Sequence, residues 1–243
     1  MEIERVHHES VGSTNDVARD LWRSGKRHPV LVSAAEQVRG RGRLERTWVG
    51  PVGGAWMSLL WPCDPPRGDA PDATPLLAGL VVAQCLELLA PASSPSIKWP
   101  NDVLADGRKI AGILCERELG RERGAIVVGM GVNVNNEPPE ALQPGLAGAS
   151  LREFAGCEIP VGAVVGAIAE RLPRLLASGF TPRVRTEIER RLAWMGRAVS
   201  LNGEPAGTLE GLDEVGRIVL EADGQRRAVA SGELSLRRLP AGA

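Results

Sequence analysis

Apolar and polar positions alternate with two periods along the chain, and the changes of period mark out its elements. Residues 13–25, STNDVARDLWRSG, put Val17, Leu21 and Trp22 on one helical face. Ser13 followed by Asp16 makes a capping-box-like start, and Gly25 is placed to stop the helix. Residues 30–35 form a short apolar run that reads as a buried strand, and residues 53–61 (GGAWMSLLW) read as another. Between 75 and 89 the chain is apolar almost all round, the mark of a buried helix. In residues 97–116, two apolar-rich runs flank Asp106-Gly107, a strong signal for a two-residue hairpin turn. A regular hairpin there pairs Leu104 with Lys109, Asp102 with Ala111 and Asn101 with Gly112. Lys109 and Asp102 then share a face as diagonal neighbours. Pro100 limits ladder bonding and points to an edge or a bulge.

Residues 125–135 (AIVVGMGVNVN) read as a strand interrupted by Gly129 and Gly131 and ending in amides. Residues 62–75 and 136–149 are rich in Pro with Asp or Gly and read as loops. Ser150 caps a short helix reaching Ala155, residues 160–178 form an amphipathic helix that Pro173 is expected to kink, and residues 186–192 continue helical. From Met195 the pattern changes to short alternating runs with turns at Asn202-Gly203, Asp213-Glu214 and Asp223-Gly224. That spacing predicts an all-β module of about 45 residues. It is too small to be very stable alone, so docking on the rest of the chain is expected.

A length of 243 residues accommodates one substantial domain and a small one. The formal net charge of −1 argues against bulk nucleic-acid binding, so any concentration of positive charge is local. The four cysteines lie far apart without a CxxC pair, which excludes a compact zinc ribbon and gives no disulfide framework. The first ten residues lack the apolar segment of a signal peptide, and the longest apolar stretch, 76–82, is too short to span a bilayer. The expectation is a cytoplasmic protein with reduced thiols.

The local positive charge is in residues 37–48, QVRGRGRLERTW. Arg39, Arg41, Arg43 and Arg46 fall within eight residues, with Gly40 and Gly42 between them and Trp48 at the end. Glycine lets backbone approach a ligand closely, and the guanidinium fork suits phosphate or carboxylate. A flexible, positively charged segment suits a small polyanion; a solvated basic loop is the plainer alternative. The stretch is neither a Walker A loop nor GxGxxG, since no Gly-Lys-Ser/Thr follows and Glu45 stands where the third glycine would be. Thr14 and Asn15 fall in the first turn of a helix, beside free backbone N–H groups. Lys109 taken alone reads as an ordinary strand-end lysine.

Three separated motifs, GRGRLERTW at 40–48, KWPNDVL at 98–104 with KIAGILCE at 109–116, and VGMGVNVN at 128–135, occur in this order. Together they closely resemble biotin–protein ligases, which attach biotin to carboxylase carrier domains. STN at 13–15 and SGELSLR at 231–237 match that family's early polar motif and C-terminal module. The resemblance covers nearly the whole chain. It is closest to the monofunctional class, because the motifs begin at Ser13 and leave no room for an N-terminal winged helix-turn-helix. DNA binding is therefore not carried over.

The resemblance implies an α+β fold: a class II synthetase-like, mixed and mostly antiparallel sheet with helices on one face, then a small C-terminal SH3-like β-barrel. Residues 1–194 would be the catalytic domain and 195–243 the barrel. It implies ATP-dependent attachment of biotin to a lysine of a biotin carboxyl carrier domain, through biotinyl-5′-AMP, with release of pyrophosphate and AMP. By matched position, Ser13, Thr14, Asn15, Gln37, Gly40, Arg41, Gly42, Arg43, Lys109 and Gly112 would contact biotin. Arg41, Arg43, Arg46, Trp48, Asn101, Asp102, Lys109, Asn133 and Arg237 would be near ATP. Lys109 and Arg43 would be catalytic, and Asp102 would bind Mg²⁺ directly or through water. A glycine-arginine loop that orders over the adenylate would shield the anhydride from water. Biotin, ATP and the carrier domain are the expected partners, with no DNA or membrane, for a monomer or weak homodimer. The nearest rival is a lipoate or octanoate ligase or transferase; the rival of another class is a nucleic-acid-binding module using the basic loop and tryptophans.

Overall fold

The computed structural model describes residues 3–44, 46–63, 73–119, 123–138, 146–231 and 236–239. Most of the two expected loops, at 64–72 and 139–145, and residues 232–235 of the last motif lie outside the described residues. The first sheet is assembled from β1 (Glu4–Val11), β2 (Val30–Arg41), β3 (Thr47–Gly50), β4 (Ala55–Cys63), β5 (Pro95–Lys98), β6 (Asp102–Ala105), β7 (Arg108–Leu119) and β8 (Gly124–Val132). Its order is β1-β2-β4-β8-β7-β6-β5, with β3 paired to β2. Among its described strand pairs β1 and β2 run parallel, and the others are antiparallel.

Alternation along the strands gives the sheet two apolar faces. Val30 and Val32 of β2, Leu60 of β4, and Ala125 and Val127 of β8 cluster with Ala18 and Trp22 of α1 (Thr14–Arg23). Leu31, Met57, Leu59, Val128 and Met130 face the opposite way. They share one large core with α2 (Ala73–Leu89), α4 (Val161–Ser178) and α5 (Pro182–Glu189). The helices therefore cover both faces, not one as expected. The cause is Ala18 and Trp22 of α1, which pack on the face that α2 leaves uncovered, and α1 sits beside the glycines of that face.

Helix ends follow local chemistry. At the end of α1, Gly25 has φ +101°; its N–H donates to the Trp22 carbonyl and that of Lys26 to Leu21, a Schellman close. At the start, Ser13 is the N-cap residue but makes no side-chain cap hydrogen bond, so the expected capping box is absent. Ser150 does form one, with Glu153, at α3 (Leu151–Ala155). The helix expected over 186–192 runs from Pro182 to Glu189, starting four residues earlier and ending three earlier, because the Thr181 hydroxyl accepts from Val184 N–H and Pro182 occupies the first turn.

The second sheet contains β9 (Ala198–Leu201), β10 (Glu204–Leu212), β11 (Ile218–Ala222), β12 (Gln225–Val229) and β13 (Leu236–Arg238), in the order β12-β11-β10-β9-β13 and antiparallel throughout. Its three turns fall where the sequence placed them. The expected docking is present: the Trp99 indole N–H donates to the Gly216 carbonyl at 3.2 Å, and Leu212 N–H to Glu189 Oε1 at 2.9 Å. Val199, Leu209, Ile218 and Leu220 belong to the same buried cluster as α2. Among the described residues no helix is long and apolar enough to cross a membrane.

Candidate active site

A cleft of about 930 Å³, its open mouth included, lies over the α1 face of the first sheet. Ser13, Thr14 and Asn15 enter from the start of α1, Gln37 and Arg41 from β2, Trp48 from β3, and Asp102, Lys109 and Gly112 from β6 and β7. The arginine-rich stretch between them is a hairpin where a loop was expected. β2 continues to Arg41, the Gly42 N–H donates to the Arg46 carbonyl at 2.6 Å, and β3 begins at Thr47. Leu44, with φ +55°, turns the tip.

Glycines make the space. Gly112 of β7 pairs with Gly131 of β8, and Leu114 with Gly129. A Cβ on Gly131 would lie 2.6 Å from Trp48 Nε1; one on Gly112 would lie 2.9 Å from the Trp48 ring and 3.3 Å from Lys109 Cε; one on Gly129 would collide with the Asn15 amide. Gly40 does not line the cleft; its absent side chain lets the Trp48 carbonyl approach β2. The Trp48 ring meets Trp56 edge-on at 6.2 Å and Lys109 Nζ at 5.1 Å. Its buried indole N–H has no hydrogen-bond partner among the described residues.

At the α1 end the wall is uncharged. Gln37 Oε1 accepts from the Thr14 N–H at 2.8 Å and the Thr14 hydroxyl at 3.0 Å. Ser58 Oγ lies 2.7 Å from Thr14 Oγ1 and 2.5 Å from Asn15 Oδ1, and is fully buried. Asn15 Nδ2 donates to Glu116 Oε2 at 2.6 Å. Arg41, expected to meet the ligand's charge, is already paired: its Nη2 lies 2.7 Å from Asp16 Oδ1 and 3.0 Å from Glu116 Oε2. Two carboxylates neutralise it, so the positive charge available to a ligand comes from elsewhere.

That source is the opposite end. Asp102 Oδ1 is 2.5 Å from Lys109 Nζ and Asp102 Oδ2 is 2.9 Å from Lys98 Nζ. All three side chains are 7% exposed or less. Burial pushes the Asp102 carboxyl up, but the ammonium groups of Lys109 and Lys98 outweigh it and hold it below the usual carboxylate range. Two cations against one anion leave a net positive charge at the bottom of the cleft. Arg43 is nearby, with Nη1 3.3 Å from Asn101 Oδ1 and Nη2 3.4 Å from the carbonyl of Ser231, which follows β12. The expected Mg²⁺ role of Asp102 does not fit these surroundings. Both carboxylate oxygens are engaged by ammonium groups.

The expected hairpin register holds only next to its turn, where Asp106 and Gly107 have φ +48° and +72°. Leu104 faces Lys109, but a bulge follows, so Asp102 faces Gly112 and Val103 faces Ala111. The extra residue arises because a neighbouring segment takes the backbone of Lys109: its N–H donates to the Ala147 carbonyl and its C=O accepts from Ala149. Ile110 and Ala111 both turn to the core, and Lys109 and Gly112 both line the cleft. Pro100 lies in the turn between β5 and β6 and not in a strand.

Of the residues expected at the site, Arg46, Asn101 and Asp102 line the cleft, whereas Asn133 and Arg237 do not. Asn133 is buried past the end of β8, accepting from Asn136 Nδ2 at 3.0 Å. Arg237 is in β13, opposite Ser200. The sequence reading missed Lys98, Ser58 and Glu116. Lys98 could have been found from the β5–β6 hairpin, in which it pairs directly with Asp102 across the turn at 99–101; Ser58 carries the weaker signal of a lone hydroxyl in an apolar strand.

Residues 8–133 match the biotin/lipoate A/B protein ligase family. The chain is 33% identical to the bifunctional ligase/repressor BirA of Bacillus subtilis over 95% of its own length and 73% of that protein's. It is 34% identical to the biotin–[acetyl-CoA-carboxylase] ligase of Paracoccus denitrificans, over 84% and 88% of the two chains. The biotin protein ligase from Aquifex aeolicus, solved in complex with biotin and ATP, superposes with a TM-score of 0.83 at 30% identity, covering 97% of this chain and 99% of that one.

Proposed function

The chain belongs to the biotin/lipoate A/B protein ligase family, and from that premise we infer that it attaches biotin to a carrier protein at the expense of ATP. One observation carries the assignment of its residues: a single cleft has uncharged hydrogen-bonding groups at one end and surplus buried positive charge at the other. Biotin has the same two-ended character. Its ureido head is neutral, with one carbonyl and two N–H groups, and its tail is a carboxylate. A head of that kind satisfies Ser13, Thr14, Asn15 and Gln37. The dithiolane ring of lipoate offers no hydrogen bonds and would make no use of the capacity those groups have left.

In the first step a biotin carboxylate oxygen attacks the α-phosphorus of ATP. A P–O bond forms to the carboxylate, the bridge to the β-phosphate breaks, and pyrophosphate leaves with the bonding electrons. Two anions must meet, so the reaction depends on positioning and charge neutralisation. Lys109 and Lys98, held together by Asp102, supply that charge from a dry site, and Arg43 adds to it from the hairpin tip. In the second step the amine of a carrier lysine attacks the acyl carbon, loses a proton and forms the amide, and AMP departs. A divalent cation escorting ATP would be held largely by phosphates and water and would offset further phosphate charge.

We read residues 1–194 as the catalytic unit and 195–243 as an SH3-like barrel, supported by the absence of strand pairing between the two sheets among the described residues. The formal net charge of −1 favours a protein acceptor over nucleic acid, and a cytoplasmic site of action accords with that acceptor. The test is incubation with ATP, Mg²⁺, labelled biotin and a biotin carboxyl carrier domain. Label on one carrier lysine is expected; transfer of lipoate in place of biotin, or of neither, overturns the assignment.

A further inference from the structure

Glu116 lies outside the reaction as derived, yet three elements meet at its carboxylate. Asn15 Nδ2 donates to Oε2 from the start of α1 at 2.6 Å, and Arg41 Nη2 donates to the same oxygen from the end of β2 at 3.0 Å. Arg19 Nη1 lies 3.6 Å from Oε1. Glu116 itself is on β7, with 22% of its side chain exposed. An ionised carboxylate only accepts hydrogen bonds, so the Asn15 amide must turn its nitrogen outward to Glu116. Its oxygen then points inward, over Gly129 and toward Ser58 Oγ. Two other bonds accompany this orientation: Ser58 Oγ donates to Asn15 Oδ1 at 2.5 Å, which a hydroxyl can exchange for acceptance if the amide turns, and Asn15 Nδ2 donates to the Leu114 carbonyl at 3.4 Å, which is weak.

We propose that Glu116 is a positioning residue for substrate recognition, holding the Asn15 amide with its oxygen toward the cleft as the acceptor for one ureido N–H. The inference rests on the biotin reading above. A primary amide is nearly symmetric in shape, so without Glu116 it can rotate half a turn and present a donor to a donor. Recognition of that N–H is lost while the chemistry at Lys109, at the other end of the cleft, is not. The Arg41 contact adds a second effect of the same group, fastening the hairpin to the wall.

The test compares biotin with two analogues, each having one ureido N–H replaced by a ring oxygen, in wild type, Glu116→Ala and Glu116→Gln. Wild type should discriminate against at least one analogue by about tenfold or more in KM, the loss of one buried hydrogen bond. Glu116→Ala should raise KM for biotin by about that factor, leave kcat within about twofold, and abolish the discrimination against that analogue. Glu116→Gln keeps an acceptor oxygen for Asn15 and should restore the discrimination. Arg41→Ala should retain it, because the amide partner is intact. An equal rise in KM for biotin and both analogues in Glu116→Ala, or unchanged discrimination, overturns the proposal. Absence of biotin transfer by the wild type would instead overturn the biotin reading itself.

Discussion

At the α1 end of the cleft, Thr14, Asn15, Gln37 and Ser58 are neutral and spend much of their hydrogen-bonding capacity on one another. At the β5–β6 end, Lys98, Asp102 and Lys109 are charged, buried and unbalanced. The first end offers shape and direction, so it can choose a ligand without driving a reaction. The second offers charge in a low-dielectric place, where each cation is worth far more than in water. On the function proposed above, choice and chemistry are thus separated along one face of the sheet, with Trp48 between them.

The comparison breaks most completely at Lys109. Replacing it with Ala should slow pyrophosphate release at saturating biotin and ATP by about 100-fold or more, with the far-ultraviolet circular dichroism unchanged; release near the wild-type rate would remove the charged end from the chemistry. Asp102→Asn should cost about 3 kcal/mol of stability in denaturant melts, because two buried ammonium groups lose their counter-ion. The half-saturating Mg²⁺ concentration should stay put, and a marked rise would restore Asp102 as a metal ligand. The pH dependence follows the same group. Its carboxyl is depressed in the folded state, so its stabilisation is present above the ordinary carboxylate range and fades as pH falls through the folded value. Asp102→Asn should therefore flatten the acid limb of the stability curve.

Arg43→Ala, which removes the hairpin's contacts with Asn101 and Ser231, should release about tenfold more free biotinyl-AMP, read by chromatography of the reaction mixture. No increase would detach the hairpin tip from retention of the intermediate. Gly131→Ala sharpens the comparison from the middle, since the added methyl displaces the Trp48 ring. A rise of about tenfold in biotin KM, the scale of an overpacked site, is expected; a change confined to ATP would place Trp48 at the nucleotide end. The smallest effect is expected at Asp16, whose side chain is 53% exposed. Asp16→Asn should shift stability by less than about 1 kcal/mol, and a larger loss would show that the rim of the neutral end carries structural load.

Much of this was readable in the residues. Asp106-Gly107 announced its hairpin, the turns of the second sheet fell at Asn202-Gly203, Asp213-Glu214 and Asp223-Gly224, and the three motifs with the early polar STN converge on one cleft. Local chemistry misled where tertiary contacts intervened. Ser13 looked like a capping residue, yet it lies 4% exposed in the cleft wall with no side-chain cap bond. The glycines of residues 40–42 suggested a loop, but pairing across Gly40 and Trp48 makes them a hairpin. Arginine density promised charge that Asp16 and Glu116 have already cancelled at Arg41. The bulge in β7 was out of reach, because its cause is a segment almost forty residues away reaching back to Lys109. Lys98 went unnoticed because a lysine beside Trp and Pro carries no periodic signal.

That bulge has a consequence for how the gene can change. In a regular strand, positions 109 and 112 point to opposite sides. The bulge that absorbs the supernumerary Ile110 is what lets an ammonium group stand over a bare stretch of backbone. Deleting that single codon would leave the lysine and the glycine two apart, still on one side of a straightened strand, at the cost of one core side chain, so natural variation here should tolerate loss of that residue better than gain of another.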